Sequence, residues 1–281
     1  MNLFEKTIEA ALEADASYIA LRPVVEKEIL HHDILREMNK AGYLKGLTFM
    51  GGTCLRSCYG SERLSEDLDF SGGFGFKKQD LTGLGLLIKE ALQKKYDLPV
   101  SVSEPEKETG NTDTWKIKII TRPERPDFPA QRINIDICML PSHEPKPAML
   151  RNHYQIDSGT SGMILYAESL PEILADKIIA LALRLNRIKN RDLWDIFWLS
   201  SRNILLSGDL LEKKLADRKI SVPVFLLKYN QRLEEIKDGQ QAFLTEMRRF
   251  LAPQAFTKEL TGAFWWEHLL SLLRELALEG R

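Results

Sequence analysis

Three aspartates carry the chemistry that this sequence makes available. In Ser65-Glu66-Asp67-Leu68-Asp69-Phe70 two carboxylates are separated by one apolar residue. On a strand, positions i and i+2 share a face, so Asp67 and Asp69 project side by side while Leu68 and Phe70 turn into the core. Carboxylates that close repel one another unless a cation lies between them. A divalent ion with hard oxygen ligands suits the pair, and magnesium combines carboxylates with substrate phosphates. Asp136 makes a third acid, in the run Ile133-Asn134-Ile135-Asp136-Ile137-Cys138, where the isoleucines define the opposite face. If that strand lies beside the Asp67/Asp69 strand, all three carboxylates share one surface. Such a set could hold two metal ions, one for an attacking hydroxyl and one for a leaving pyrophosphate. Phosphoryl-type transfer asks little more of a protein than this positioning and charge neutralisation.

Gly51-Gly52-Thr53 supplies a complementary feature. Glycines allow the backbone to approach a ligand, and N–H groups at a helix start favour phosphate. By itself a Gly-Gly turn after a strand is most often only a turn; ahead of a DxD strand it is far more specific. Later in the chain, Lys177 and Arg184 fall on one helical stripe, which either meets a phosphate chain or is an ordinary solvated face. Asp192 and Asp195 share a helix face, and Asp195 is spaced to pair with Arg191, which leaves Asp192 as the functional candidate. Trp194, Phe197 and Trp198 read as core, and Trp265-Trp266 as helix packing. Basic residues gather around Asp136 (Arg122, Arg125, Arg132, Lys146, Arg151) and after Lys177 (Arg184, Arg187, Lys189, Arg191). They either converge into a groove for an RNA end or are dispersed surface charge.

These residues need elements to position them. Apolar residues at three- and four-residue steps predict helix over 3–45, divided at Pro23. Leu47 to Met50 is a short β-prone run ending at Gly51-Gly52, and Thr53 to Tyr59 reads as a helix with Thr53 near its start. The period then becomes two around Asp67–Phe70, Trp115–Ile119 and Ile133–Ile137, giving three half-buried strands. A helix over 79–95 separates the first two, and the loop 121–131 suits an antiparallel hairpin between the others. Ser169-x-x-Glu172 is a capping box opening a helix to about Asn190. From there almost everything is helical, with breaks at Pro223, Gly239 and Pro253. The expected organisation is an α/β (α+β) core domain with a mixed sheet over residues 1–165 and a helical C-terminal domain over 166–281.

Bulk properties narrow the class. The 281 residues are 44% hydrophobic and 28% charged, with formal net charge -1. A nucleic-acid partner therefore requires a local basic surface rather than an overall basic chain. Neither a signal peptide nor a membrane-spanning run is recognisable, so no membrane partner is expected. Cys54, Cys58 and Cys138 form no CxxC pair, which fits free thiols in a reducing, cytoplasmic setting.

Gly51-Gly52-Thr53, Leu55-Arg56, Tyr59-Gly60, Arg63 and Ser65-Glu66-Asp67-Leu68-Asp69-Phe70 closely resemble the AbiEii-type nucleotidyltransferases. These belong to the DNA polymerase β superfamily and include toxins of abortive-infection type IV toxin–antitoxin systems and the MenT toxins. The resemblance continues at Glu172-Ile-Leu-Ala-Asp-Lys177 and Arg191-Asp192-Leu-Trp-Asp195, and covers roughly residues 47–200. It implies a polymerase-β-like core with an NTP substrate and magnesium (or manganese) on Asp67, Asp69 and Asp136. Gly51, Gly52 and Thr53 would line the triphosphate, joined by Arg56 and Ser65, with threonine where the wider superfamily has serine. Lys177, with Arg184, would bind nucleotide phosphates, and Asp192 would be the polar residue near the catalytic centre. The implied acceptor is the 3′ end of tRNA, and the implied role a growth-arresting toxin countered by a cognate antitoxin. Two alternatives stand beside it: transfer to a small molecule or protein, and a nucleotide-binding sensor without turnover. A metal-dependent nuclease would also cluster carboxylates but needs neither the phosphate-cradling glycines nor Lys177.

Overall fold

Asn2 and Pro23 determine where the first two long helices begin. The Asn2 side chain accepts a hydrogen bond from the Glu5 N–H at 2.8 Å and caps α1, Leu3–Ala14. Phe4, Ile8, Ala11 and Leu12 form its buried stripe, at the spacing the sequence shows. After a 3₁₀ turn, Ala16–Leu21, Pro23 occupies the first turn of α2, Arg22–Lys40, where its missing N–H costs no helical bond. The computed structural model describes residues 2–106, 110–125, 127–185, 187–260, 262 and 264–279. The chain divides into two units, Met1–Ala167 and Glu168–Arg281.

The first unit is organised by a seven-stranded mixed sheet. Its strands are β1 (Thr48–Met50), β2 (Leu68–Ser71), β3 (Val100–Ser103), β4 (Thr112–Ile119), β5 (Gln131–Cys138), β6 (Pro145–Met149) and β7 (Ile164–Glu168). Their spatial order is β3-β4-β5-β2-β1-β7-β6. β1 runs antiparallel to β2, whereas β2 runs parallel to β5, with Leu68 opposite Ile135 and Asp69 opposite Asp136. The expected hairpin of β4 and β5 is present, Trp115 lying opposite Ile135. Phe49, Phe70, Trp115, Ile133, Ile135 and Ile137 are buried on one face, which α2 and α4 (Leu84–Tyr96) cover.

Local structure departs from the sequence expectation in three places. Helix starts at Gly51, not Thr53: α3 spans Gly51–Cys54 and continues as a π turn over Leu55–Tyr59. The helix expected over 79–95 is split into a 3₁₀ turn, Lys78–Leu81, and α4, because Gly83 between them adopts φ +87°. The helix opened by Ser169 ends early. This helix, α5, spans Leu170–Leu183, and Arg184 leaves it with extended backbone. Arg232 accounts for the stop, since its guanidinium takes the carbonyls of Leu181 and Arg184 that further helical turns would have used.

In the second unit α5 is followed by α6 (Asn190–Ser200), α7 (Gly208–Asp217), α8 (Val222–Ile236), α9 (Gln240–Met247), α10 (Pro253–Leu260) and α11 (Trp265–Glu279). An aromatic cluster forms its core: Phe197 meets Trp265 at 5.0 Å between ring centroids, and Phe243 stacks on Trp265 at 4.9 Å. Lys214 on α7 is buried among Glu168, Glu172 and Asp176 at 3.1, 2.9 and 2.6 Å. Among the described residues no helix is long and apolar enough to cross a membrane. The three cysteines form no disulfide, and Cys54 and Cys58 are buried.

Candidate active site

One row of residues crosses four strands on the half-exposed face of the first unit's sheet. Met50 on β1 lies opposite Asp69 on β2, Asp69 opposite Asp136 on β5, and Asp136 opposite Thr114 on β4. Directly opposed residues point to the same side of a sheet, so Asp69 and Asp136 are adjacent on one surface. Thr114 Oγ1 donates to Asp136 Oδ1 at 2.6 Å and orients that carboxylate. Asp67 immediately precedes β2, and its Oδ1 accepts from the Asn134 backbone N–H at 3.0 Å. The Asp67 carboxylate therefore ties β2 to β5 two residues before the Asp69–Asp136 pair.

The turn after β1 is built to come close to these acids. Gly51 has φ +76°, a left-handed conformation that disfavours other residues. A Cβ there would lie 2.7 Å from Asp69 Oδ2, so only glycine leaves this carboxylate its place. At Gly52 a Cβ would collide with the Arg63 guanidinium and stand 3.2 Å from Ser65 Oγ. Thr53 Oγ1 donates to the Asp67 carbonyl oxygen, which binds the start of the helical run to the start of β2. Gly51, Gly52, Thr53, Ser65, Asp67 and Asp69 are thus brought together, with Asp136 beside them.

Arg56 is engaged elsewhere. It is buried, and its Nε donates to Glu28 Oε2 at 3.1 Å, with further bonds to the Ser61 carbonyl at 3.1 Å and the Tyr18 hydroxyl at 3.3 Å. Burial works against charge on Glu28, but Arg56, the Tyr154 hydroxyl and the Ser65 N–H outweigh it and hold the carboxyl below its usual range. These bonds account for Arg56 as an internal strut of the turn.

Among the described residues no group of three or more His, Cys, Asp or Glu is disposed to hold a metal ion alone. Magnesium seldom requires such a cage, because it keeps waters and takes one or two carboxylates together with substrate phosphates. Asp69 and Asp136 present that kind of donor set, and the side-chain-free backbone at Gly51 keeps the approach to Asp69 open. The residues present fit a hard divalent ion that arrives with phosphate.

Lys177, Arg184, Asp192 and Asp195 belong to the second unit. Lys177 Nζ lies 2.8 Å from both Asp192 Oδ1 and Asp195 Oδ2, and Arg184 Nη1 lies 2.5 Å from Asp192 Oδ2. Burial alone would raise the Asp192 pKa, yet Lys177 and Arg184 hold it well below the usual carboxylate range. Asp195 pairs with Lys177, and Arg191, its expected partner from the i,i+4 spacing, lies 3.4 Å from Glu246. Arg191 also covers the ring of Phe250, 4.6 Å from its centroid.

Sequence reasoning missed the polar face of α2. Glu26, Glu28, His31, His32 and Asp33 are all buried there, and three of them bond to loops around the site or to Tyr96. A count of apolar periodicity registers Val24, Val25, Ile29 and Leu35 but says nothing of charged residues buried among them. The one available signal was the density of ionisable residues in a helix that also carries a full apolar stripe.

Comparison with known proteins adds an independent line. A family model described as nucleotidyl transferase AbiEii toxin, type IV toxin–antitoxin system, matches residues 33–262. The chain is similar in fold to MenT4, a nucleotidyltransferase toxin of Mycobacterium tuberculosis, at 13% identity and a TM-score of 0.57, covering 98% of this chain and 99% of that one. A weaker likeness, at 16% identity and a TM-score of 0.45, links it to JHP933 of Helicobacter pylori over 91% of this chain and 90% of that one. No curated protein matches it. Since the family model spans well over half of the residues, including both aspartate strands and the Gly51-Gly52 turn, the chain belongs to the AbiEii nucleotidyltransferase toxins of type IV toxin–antitoxin systems.

Proposed function

We propose that this protein uses magnesium (or manganese) to move a nucleotide from an NTP to the 3′ end of tRNA in the cytoplasm, and that a cognate antitoxin counters the resulting growth arrest. The observation that carries the reading is the Asp69–Asp136 pair, in register on parallel strands, with the Gly51 backbone seated against Asp69. Family membership supports the reaction class and the toxin role. The tRNA acceptor is supported by the resemblance of the motifs.

In this reading the phosphate chain lies along Gly51-Gly52-Thr53, whose N–H groups open a helical run and favour anionic charge. Asp69 and Asp136, with Asp67 beside them, would hold the ion, which would neutralise the phosphates and polarise the α-phosphoryl group. The acceptor oxygen bonds to the α-phosphorus as the bond to the bridging oxygen breaks. Pyrophosphate leaves with that electron pair, and the hydroxyl proton passes to solvent. Thr53 and Asn134 fix Asp67 from two sides, and Thr114 fixes Asp136, so the acids are oriented before substrate arrives. The roles of Lys177 and Arg184 towards phosphate and of Asp192 in catalysis belong to the same reading; in their own unit Asp192 already gathers both cations.

The test is transfer of label from each of the four α-labelled NTPs onto total cellular RNA, with Asp69→Ala alongside the wild type. Label on RNA of tRNA size that vanishes in the variant supports the proposal. Full transfer by Asp69→Ala defeats it, and label on protein or small molecules alone replaces the acceptor.

A further inference from the structure

One face of α2 grips the segment that leads into β2. Lys27 Nζ pairs with Glu66 Oε1 at 2.8 Å, Glu28 Oε1 accepts from the Ser65 N–H at 2.8 Å, and His31 Nε2 meets the Glu66 carbonyl at 3.0 Å. Thr53 holds the carbonyl of Asp67, the next residue. Ser65-Glu66-Asp67 is therefore clamped between α2 and the glycine turn.

Glu28 bonds to two of the segments that build the site. Its Oε1 holds the lead-in to the aspartate strand, and its Oε2 holds Arg56 from the helical run after Gly51-Gly52 and the hydroxyl of Tyr154. One buried carboxylate thus connects the phosphate-facing turn to the carboxylate strand. The family model begins at residue 33, so Lys27, Glu28 and His31 all precede the matched region.

We infer that Glu28 is a positioning residue for nucleotidyl transfer, setting the register of Asp67 and Asp69 against the Gly51-Gly52-Thr53 turn. The inference rests on the reading under Proposed function. All three donors to Glu28 are themselves buried or half-buried groups, so each bond lost leaves a polar group unsatisfied. Glu28→Gln keeps the size of the side chain but turns one acceptor into a donor. Whichever way the amide is oriented, it faces either Ser65 N–H or Arg56 with the wrong polarity.

The experiment measures steady-state transfer from α-labelled NTP in the full chain for wild type, Glu28→Gln, Tyr154→Phe and Asp33→Asn. Asp33 is an equally buried carboxylate on the same helix, but it bonds Tyr96, Lys95 and Arg36, away from the site. At a temperature where circular dichroism shows every variant folded, Glu28→Gln should lower kcat at saturating NTP by about tenfold or more. Tyr154→Phe should show a smaller loss in the same direction, whereas Asp33→Asn should lower Tm and keep kcat within about twofold. Equal kcat in Glu28→Gln and Asp33→Asn overturns the inference, as does an unfolded Glu28→Gln accompanied by wild-type kcat in Tyr154→Phe. If the wild type transfers no label, the functional reading has failed. Calorimetric titration with each magnesium–NTP then decides the inference, weaker binding in Glu28→Gln supporting it and equal or absent binding defeating it.

Discussion

At Gly51 the backbone and the available space make the same demand. The φ of +76° and the 2.7 Å separation that a Cβ would have from Asp69 Oδ2 both exclude a side chain. Gly51→Ala should cost about 1–2 kcal/mol of stability from the left-handed backbone. It should also displace the Asp69 carboxylate, and misplacement of about 1 Å in a catalytic group is worth roughly a hundredfold in rate. Urea unfolding checks the first expectation and label transfer the second; wild-type turnover in Gly51→Ala would show that the seating of Asp69 is irrelevant. Thr53 offers a finer test, because its hydroxyl donates to the Asp67 carbonyl. Thr53→Ser should be near neutral, while Thr53→Val should lose about 1–3 kcal/mol through an unsatisfied buried acceptor. That these residues would come together was legible in the sequence, because carboxylates at i and i+2 on a strand share a face and a Gly-Gly turn shortly before them lets the backbone approach. Arg56 was not legible in the same way. Its type suits phosphate and carboxylate equally, and only the long-range approach of Glu28 decides which it meets.

At the scale of elements, what was legible depended on how far each element advertises its own burial. β4 and β5 alternate cleanly over Trp115–Ile119 and Ile133–Ile137, so their existence followed from period, and their hairpin pairing from the loop that joins them. β6 reads Pro-Lys-Pro-Ala-Met, and two prolines argue against a strand except at a sheet edge, which is where it lies. β3 and β7 are four and five residues long, too short for a period to stand out from chance. The parallel pairing of β2 with β5 is a long-range event that no local pattern encodes. On α7, Lys214 reads locally as one more polar helix position but is buried with three carboxylates around it. Lys214→Met should destabilise the second unit by about 3–5 kcal/mol, since it removes the buried cation shared by Glu168 and Glu172 and leaves Asp176 with Arg218. Equilibrium unfolding in urea measures this, and a loss under about 1 kcal/mol would mean that the cluster is solvated rather than buried.

Across the whole molecule, the division into an α/β part and a helical part followed from the change of hydrophobic period, and buried groups of the two units, His31 and His153 in one and Glu168 in the other, respond in opposite senses to mild acid. In the first unit His31 is pushed down to about 4 by burial, against the pull of Glu28, and His153 is pushed down to about 4 by burial and Arg56. An unfolded chain takes up these protons near pH 6.5, whereas the native unit does not until about pH 4. Between those values the unfolded state binds more protons, so stability falls as pH falls, by up to about 1.4 kcal/mol per pH unit for each histidine. Below about pH 4 they cost nothing further. Glu168 in the second unit behaves in the reverse sense. Burial and Asp176 raise its pKa well above the carboxylate range, with Lys214 opposing, so its stabilising contribution is complete below its unfolded pKa and is lost as pH rises. Acidification from about pH 7 to about pH 5 should therefore weaken the first unit while sparing the second. The five tryptophans are placed to report this, because Trp115 lies in the first unit and Trp194, Trp198, Trp265 and Trp266 in the second. In 5-fluorotryptophan-labelled protein, the urea midpoint of the Trp115 resonance should fall on acidification while the other four hold or rise. His31→Gln and His153→Gln together should reduce the Trp115 response, since a neutral amide has no proton to gain, and leave the part due to His32, whose pKa burial also lowers. A Trp115 midpoint indifferent to pH in the wild type would mean that those histidines already reach solvent in the native state.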